Sequence, residues 1–151
     1  MLRRLVLTSA ASVVALGVGA PLAVAAPLPP LPQLPPLLAG SDSLTITVQR
    51  SGNPVADGTF ELECDGDQGS GNHPRADRAC ARLTALSEDG RNPFAPVPQG
   101  RMCTQQYGGP ATARITGTWH GRRIDARFAR TNGCEIARWE SLQPVLPMAR
   151  S

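Results

Sequence analysis

The sequence contains no lysine: all 15 of its basic side chains are arginine, and they face 12 Asp and Glu for a formal charge of +3. Aromatics are scarce, at one Tyr, two Trp and three Phe. None of them is interleaved with an arginine cluster, which leaves nucleic-acid binding without support. Histidine occurs only at His73 and His120, and neither has a neighbouring Ser or Cys to form a nucleophile–base pair. No C-x-x-C or similarly close cysteine pair exists, so the spacing that holds zinc is missing too. With no triad, no metal-ligand pattern and no phosphate loop, the expectation is a protein that is not an enzyme and carries no metal or cofactor.

The N-terminus has a different character. Met1-Leu2-Arg3-Arg4 is a positive segment, an apolar run follows to about Val24, and Ala23-Val24-Ala25 is an A-x-A cleavage pattern. Residues 1–25 therefore read as a secretory signal peptide, with an uncleaved membrane anchor as the rival, since the run is long enough to span a bilayer. Cleavage removes Arg3 and Arg4 and no acid, leaving 13 arginines against 12 acids, a charge of +1. The expected product is extracellular and free of the membrane. Residues 26–41 are rich in Pro and Leu with no helical or strand period, which suits a polyproline II linker. Residues 42–151 remain as one small domain with a modest core. All four cysteines, Cys64, Cys80, Cys103 and Cys134, lie in it; an even count in a small exported domain points to two disulfides, with three pairings open.

The domain alternates between strand and helix patterns. Leu44 to Val48 and Phe60 to Cys64 each place apolar residues at every second position, and pairing Ile46 with Leu62 puts them all on one face. Asp65 to Asn72, built of Gly, Asp and Ser, is expected to be loop. Pro74 opens a helical segment in which Ala76, Ala79, Cys80, Leu83 and Leu86 form one stripe, ended by Gly90 and Pro93. Ala111 to Trp119 and Arg123 to Phe128 alternate again. A two-residue turn at His120-Gly121 pairs Trp119 with Arg122, Gly117 with Ile124, Ile115 with Ala126 and Ala113 with Phe128, bringing every apolar residue to one side. Ile136, Trp139 and Leu142 are spaced for a short second helix, stopped by Pro144.

One stretch stands apart. Arg101-Met102-Cys103-Thr104-Gln105-Gln106-Tyr107-Gly108-Gly109-Pro110 is polar and turn-rich, with Gly108 and Gly109 free to take positive φ and Pro110 unable to donate to a sheet ladder. It is expected to stand off the body as a surface loop. A loop pinned by a cysteine, yet displaying a peptide, can offer a protease a bond that is hard to use.

From about Leu44 to Leu146 the chain resembles the Streptomyces subtilisin inhibitor family. The likeness is carried by the strand ending at Cys64, the Gly-rich loop with His73-Pro74 and Cys80, and Met102-Cys103 with Tyr107. Gly117-Thr118-Trp119 with Gly121, and Asn132-Gly133-Cys134-Glu135, complete it. The resemblance implies an α+β sandwich of a five-stranded antiparallel sheet and two helices, disulfides Cys64–Cys80 and Cys103–Cys134, and a homodimer joined through the sheet side. It implies inhibition of an extracellular serine protease, subtilisin-like first and trypsin-like second, with Gln105–Gln106 as the reactive bond. Met102, Cys103 and Thr104 would then precede Gln105 at P4, P3 and P2, Tyr107 would stand at P2′, and Asn132 would support the loop from beneath. Two features depart from the family: Gln105 is polar where P1 is commonly apolar or basic, and Gly108-Gly109-Pro110 makes the loop one residue longer. The alternatives are a non-inhibitory binding module on the same fold and an inhibitor of another protease class.

Overall fold

The computed structural model describes residues 42–150; the signal-like segment 1–25, the Pro-rich tract 26–41 and Ser151 lie outside the described residues. Five strands, β1 (Asp42–Gln49), β2 (Gly58–Asp65), β3 (Gln68–Gly71), β4 (Thr112–Trp119) and β5 (Arg122–Phe128), form one antiparallel sheet in the order β3-β2-β1-β4-β5. Helices α1 (Ala76–Glu88) and α2 (Gly133–Ser141) cover its apolar face. The architecture is the α+β arrangement that the resemblance implies.

The β4–β5 hairpin has the expected register, with Trp119 opposite Arg122 and Ala113 opposite Phe128. His120 and Gly121 take φ of 48° and 73°, the left-handed pair that matches the twist of two antiparallel strands. The β1–β2 pairing differs from expectation by two residues: Leu62 lies opposite Leu44, and Ile46 opposite Phe60. A shift by two keeps every side chain on its face, so alternation alone could not separate the two registers. The choice falls on the pairing that lets β1 run from Asp42, opposite Cys64, to Val48, opposite Gly58.

Part of the stretch expected to be loop is a strand. Residues 68–71 pair with β2 as β3 at the sheet edge, Cys64 facing Gly69. One of the glycines that argued against a strand admits the helix: a Cβ on Gly69 would lie 2.2 Å from the Ala76 carbonyl carbon. Asp77 Oδ1 then accepts the Gly69 N–H at 2.9 Å. Pro74 sits in the turn ahead of α1, which begins at Ala76. Ala79, Cys80, Leu83 and Leu86 bury the expected stripe, and the Cys64–Cys80 disulfide fastens it to β2.

The inner face of the sheet (Leu44, Ile46, Val48, Leu62, Ile115, Phe128) meets Leu83 from α1, Trp139 from α2, and Leu142, Val145 and Leu146 beyond it. The outer face is polar. There Thr45 Oγ1 donates to Glu61 at 3.0 Å, and Arg114 makes a two-pronged pair with Asp125 at 2.8 and 2.7 Å.

His73 closes one end of the core. Its Nε2 lies 3.1 Å from the Val145 carbonyl and its Nδ1 3.2 Å from the Arg75 N–H. Those partners suit a neutral ring that donates through Nε2 and accepts through Nδ1. Burial pushes its pKa below the usual histidine value, and the nearby Arg75 charge adds to this. The unfolded chain therefore takes up a proton near pH 6.5 while the folded protein does not, so stability falls as pH drops through that value towards the lower folded pKa. Thermal unfolding between pH 7.5 and 5 should show this decline, and His73→Gln should flatten it. A variant with the same pH slope as the parent would show that His73 is not its source.

Candidate functional site

Residues 101–109 form neither helix nor strand, and those from Thr104 to Tyr107 are exposed. Met102 is 95% exposed and Tyr107 64%, large side chains left outside the core. Among the described residues, none of the backbone N–H groups of residues 102–107 bonds within the chain. The segment thus presents a row of free main-chain donors, as the open edge of a sheet does.

Order comes from beneath. The Cys103–Cys134 disulfide joins the loop to the first turn of α2, and the Gly133 N–H donates to the Thr104 carbonyl at 3.1 Å. Thr104 lies so close over the helix that a Cβ on Gly133 would come within 2.0 Å of its Oγ1. On the other side of Gln105 and Gln106, the Gly108 N–H donates to the Arg130 carbonyl and the Arg130 Nε–H donates to the Gly108 carbonyl, both at 2.8 Å. Gly109 takes a φ of 101°; Gly108 does not adopt positive φ, and its lack of a side chain answers to space instead. A Cβ there would meet Ile136 at 2.8 Å and Arg130 Nε at 3.0 Å. Three consecutive residues, Gln105, Gln106 and Tyr107, are left spanning two anchored points.

The platform is itself braced. Asn132 caps α2, its Oδ1 accepting the Glu135 N–H at 3.0 Å. Its tie to the loop runs through the helix it caps, since the neighbouring Gly133 and Cys134 make the direct links. Arg138 stacks 3.9 Å from the centre of the Phe128 ring and donates to the carbonyls of Ala95 and Arg127 at 2.6 and 2.7 Å. It also pairs with Glu135 at 3.1 Å, so one side chain locks α2 to β5 and to the segment leading into the loop. Sequence reasoning assigned no role to Arg130, to Gly133 (named only for the family likeness) or to Arg138. An arginine at helical spacing behind Glu135 was the one available hint for the last of these.

Among the described residues no group of His, Cys, Asp or Glu could hold a metal ion, and no helix is long and apolar enough to cross a membrane. The arrangement holds an accessible peptide segment between two anchored points.

Comparison with known proteins gives the same direction. A family model described as subtilisin inhibitor-like matches residues 40–132. Subtilisin inhibitor-like protein 1 of Streptomyces cacaoi is 42% identical over 71 residues, covering 44% of this chain and 60% of its own. Kexstatin-1 of Streptomyces platensis is 31% identical over 98 residues, covering 64% of this chain and 59% of its own. The chain thus spans three fifths or less of the length of the curated relatives it matches. The crystal structure of Streptomyces caespitosus sermetstatin with Bacillus licheniformis subtilisin aligns over 72% of this chain and 99% of that one, at 22% identity and a TM-score of 0.45, a likeness too loose to bear on the site. The family model spans well over half of the chain, and on that ground the chain belongs to the subtilisin inhibitor-like family.

Proposed function

We propose that this protein is a secreted inhibitor of subtilisin-like serine proteases that binds in the manner of a substrate, with Gln105–Gln106 as the bond presented. One observation carries the reading: three exposed residues held between Thr104, hydrogen-bonded to Gly133 beside the Cys103–Cys134 disulfide, and a twice-bonded Gly108. The family supports it, as do the names of the relatives, which denote subtilisin or subtilase inhibition.

In this mechanism Met102 to Gln105 lie along the protease cleft as an added strand, offering the main-chain donors that nothing in the free protein satisfies. Gln105 enters the S1 pocket and sets its carbonyl against the catalytic serine and oxyanion hole. A broad apolar-lined pocket tolerates an uncharged amide, whereas a trypsin-type pocket gains no ion pair from it, which ranks subtilisin-like targets first. Because anchors flank the loop on both sides, little ordering entropy is lost on association. If the bond is cut, the disulfide and the core keep the ends together and the reverse reaction stays intramolecular. A homodimer through the polar outer face of the sheet and export by way of residues 1–25 complete the proposal.

Titrating the mature protein into subtilisin should give stoichiometric, lasting loss of activity; progressive recovery with degradation of the protein would mark it as a substrate on an inhibitor fold. Gln105→Gly removes the S1 contact and frees the backbone of a loop that depends on rigidity, and should weaken inhibition by about tenfold or more, about 1.4 kcal/mol. Inhibition of a protease untouched by this substitution would point to another surface and another protease class.

The close seat of Thr104 on the helix gives a separate test. Gly133→Ala places a methyl group 2.0 Å from Thr104 Oγ1 and 3.3 Å from its Cβ, so the Thr104 side chain must turn aside and the loop shift on α2. Subtilisin affinity should fall by about tenfold or more, about 1.4 kcal/mol. Alanine is itself the better helix former, so thermal stability should change little. Unchanged affinity would show that the contact does not set the loop's position.

A further inference from the structure

The geometry points to Arg130 as a positioning residue that holds the amine side of the Gln105–Gln106 bond in register, whether the bond is intact or cut. This rests on the reading of that bond as the one offered to a protease.

The two sides of the bond are secured unequally. On the carbonyl side, Cys103 is two residues away and covalently tied to α2. On the amine side, the next cysteine along the chain is Cys134, 28 residues beyond Gln106 by their numbering, and β4 starts only at Thr112. Gly108 lies between Gln106 and that strand. Both of its main-chain polar groups bond to one residue: its N–H to the Arg130 carbonyl and its carbonyl to the Arg130 Nε–H, each at 2.8 Å. The missing side chain at Gly108 lets the two come this close.

Arg130 is only 7% exposed, and its Nη1 faces Glu140 Oε1 at 3.7 Å. A buried guanidinium with one long ion pair is poor stabilisation compared with an apolar side chain of the same size. It supplies instead a directed donor, fixed in the plane of the group and steadied at its far end by Glu140. Hydrolysis adds water across the peptide, leaving a carboxylate on Gln105 and an ammonium on Gln106. In the reverse direction the protease serine first esterifies the Gln105 carboxyl group with loss of water. The deprotonated Gln106 amine then attacks that ester, and the serine oxygen leaves carrying a proton passed from the amine through the protease's own histidine. With Gly108 held, that amine is tethered two residues from a fixed point and its effective concentration at the ester stays high.

The test compares Arg130→Met, which keeps the bulk and loses the donor, with Glu140→Gln, which weakens the ion pair and keeps the Nε–H bond. Incubated to equilibrium with catalytic amounts of subtilisin, Arg130→Met should raise the ratio of cleaved to intact protein about tenfold and shorten the inhibited period. Glu140→Gln should stay within about twofold of the parent. In the free proteins, Arg130→Met keeps the main-chain bond from the Gly108 N–H and loses the side-chain bond to its carbonyl. The half-released clamp should let the Gly108 amide exchange with solvent about tenfold faster, with β4 amides unchanged. Arg130→Lys keeps the charge and lacks the Nε donor, and should follow Arg130→Met if that variant folds poorly. Parental cleavage ratios, or parental Gly108 exchange, in both Arg130 variants would overturn the assignment. If the parent protein fails to inhibit subtilisin, the proposed function falls, and amide exchange still decides by itself whether Arg130 holds the amine side.

Discussion

The Cys103–Cys134 bond is the constraint on which the site depends, because the loop has no core of its own. Residues 102–107 bury no large apolar side chain and form no backbone hydrogen bonds through their N–H groups. A segment of this kind in isolation samples many conformations, at about 1–2 kcal/mol of backbone entropy per residue ordered. Its order is borrowed from α2. That helix is fixed by the Asn132 cap, by Ile136 and Trp139 in the interior, and by Arg138 across β5. The disulfide transfers this fixity to the loop at one atom pair, and the Gly133–Thr104 hydrogen bond sets its orientation there.

The same bond serves stability. The two disulfides close separations of 16 and 31 residues, worth about 3 and 4 kcal/mol in the chain-entropy model, comparable with the whole net stability of a small domain. They divide the structure sensibly. Cys64–Cys80 fastens α1 to the β3 side of the sheet, and Cys103–Cys134 fastens the exposed loop to α2 on the β5 side. Between them the apolar layer of β1 and β4 carries the burial.

Legibility in the sequence followed how much each pattern constrained. The β4–β5 hairpin was readable to the residue, because a two-residue turn and alternation on both strands admit one register. The β1–β2 pairing had a long connection, and a slip of two preserved its pattern; strand and face were readable, alignment was not. Strand β3 has no apolar alternation to read, being a short edge strand that pairs through backbone and makes room for α1 at Gly69. The loop stood out by composition and by its cysteine. What holds it on the amine side did not, since Arg130 and Gly108 are 22 residues apart and meet only through the hairpin between them. A hydrogen bond from a side chain to a distant backbone group leaves no periodicity behind.

These features bear on how binding strength would be distributed in the proposed role. An apolar P1 residue gains affinity by leaving water for the S1 pocket, about 25 cal/mol for each Å² buried. Gln105 gains less, because its amide gives up hydrogen bonds to water that the pocket must replace. The weight then moves to the main chain, where the N–H groups of residues 102–107 exchange water for the cleft with no hydrogen bond inside the free protein to break first. Main-chain hydrogen bonds across a cleft form together only if the backbone is already placed, so each loses value as the loop loosens. An inhibitor with a weak P1 anchor therefore relies more heavily on rigidity, and that matches a loop anchored covalently before the bond and clamped through both polar groups of Gly108 after it.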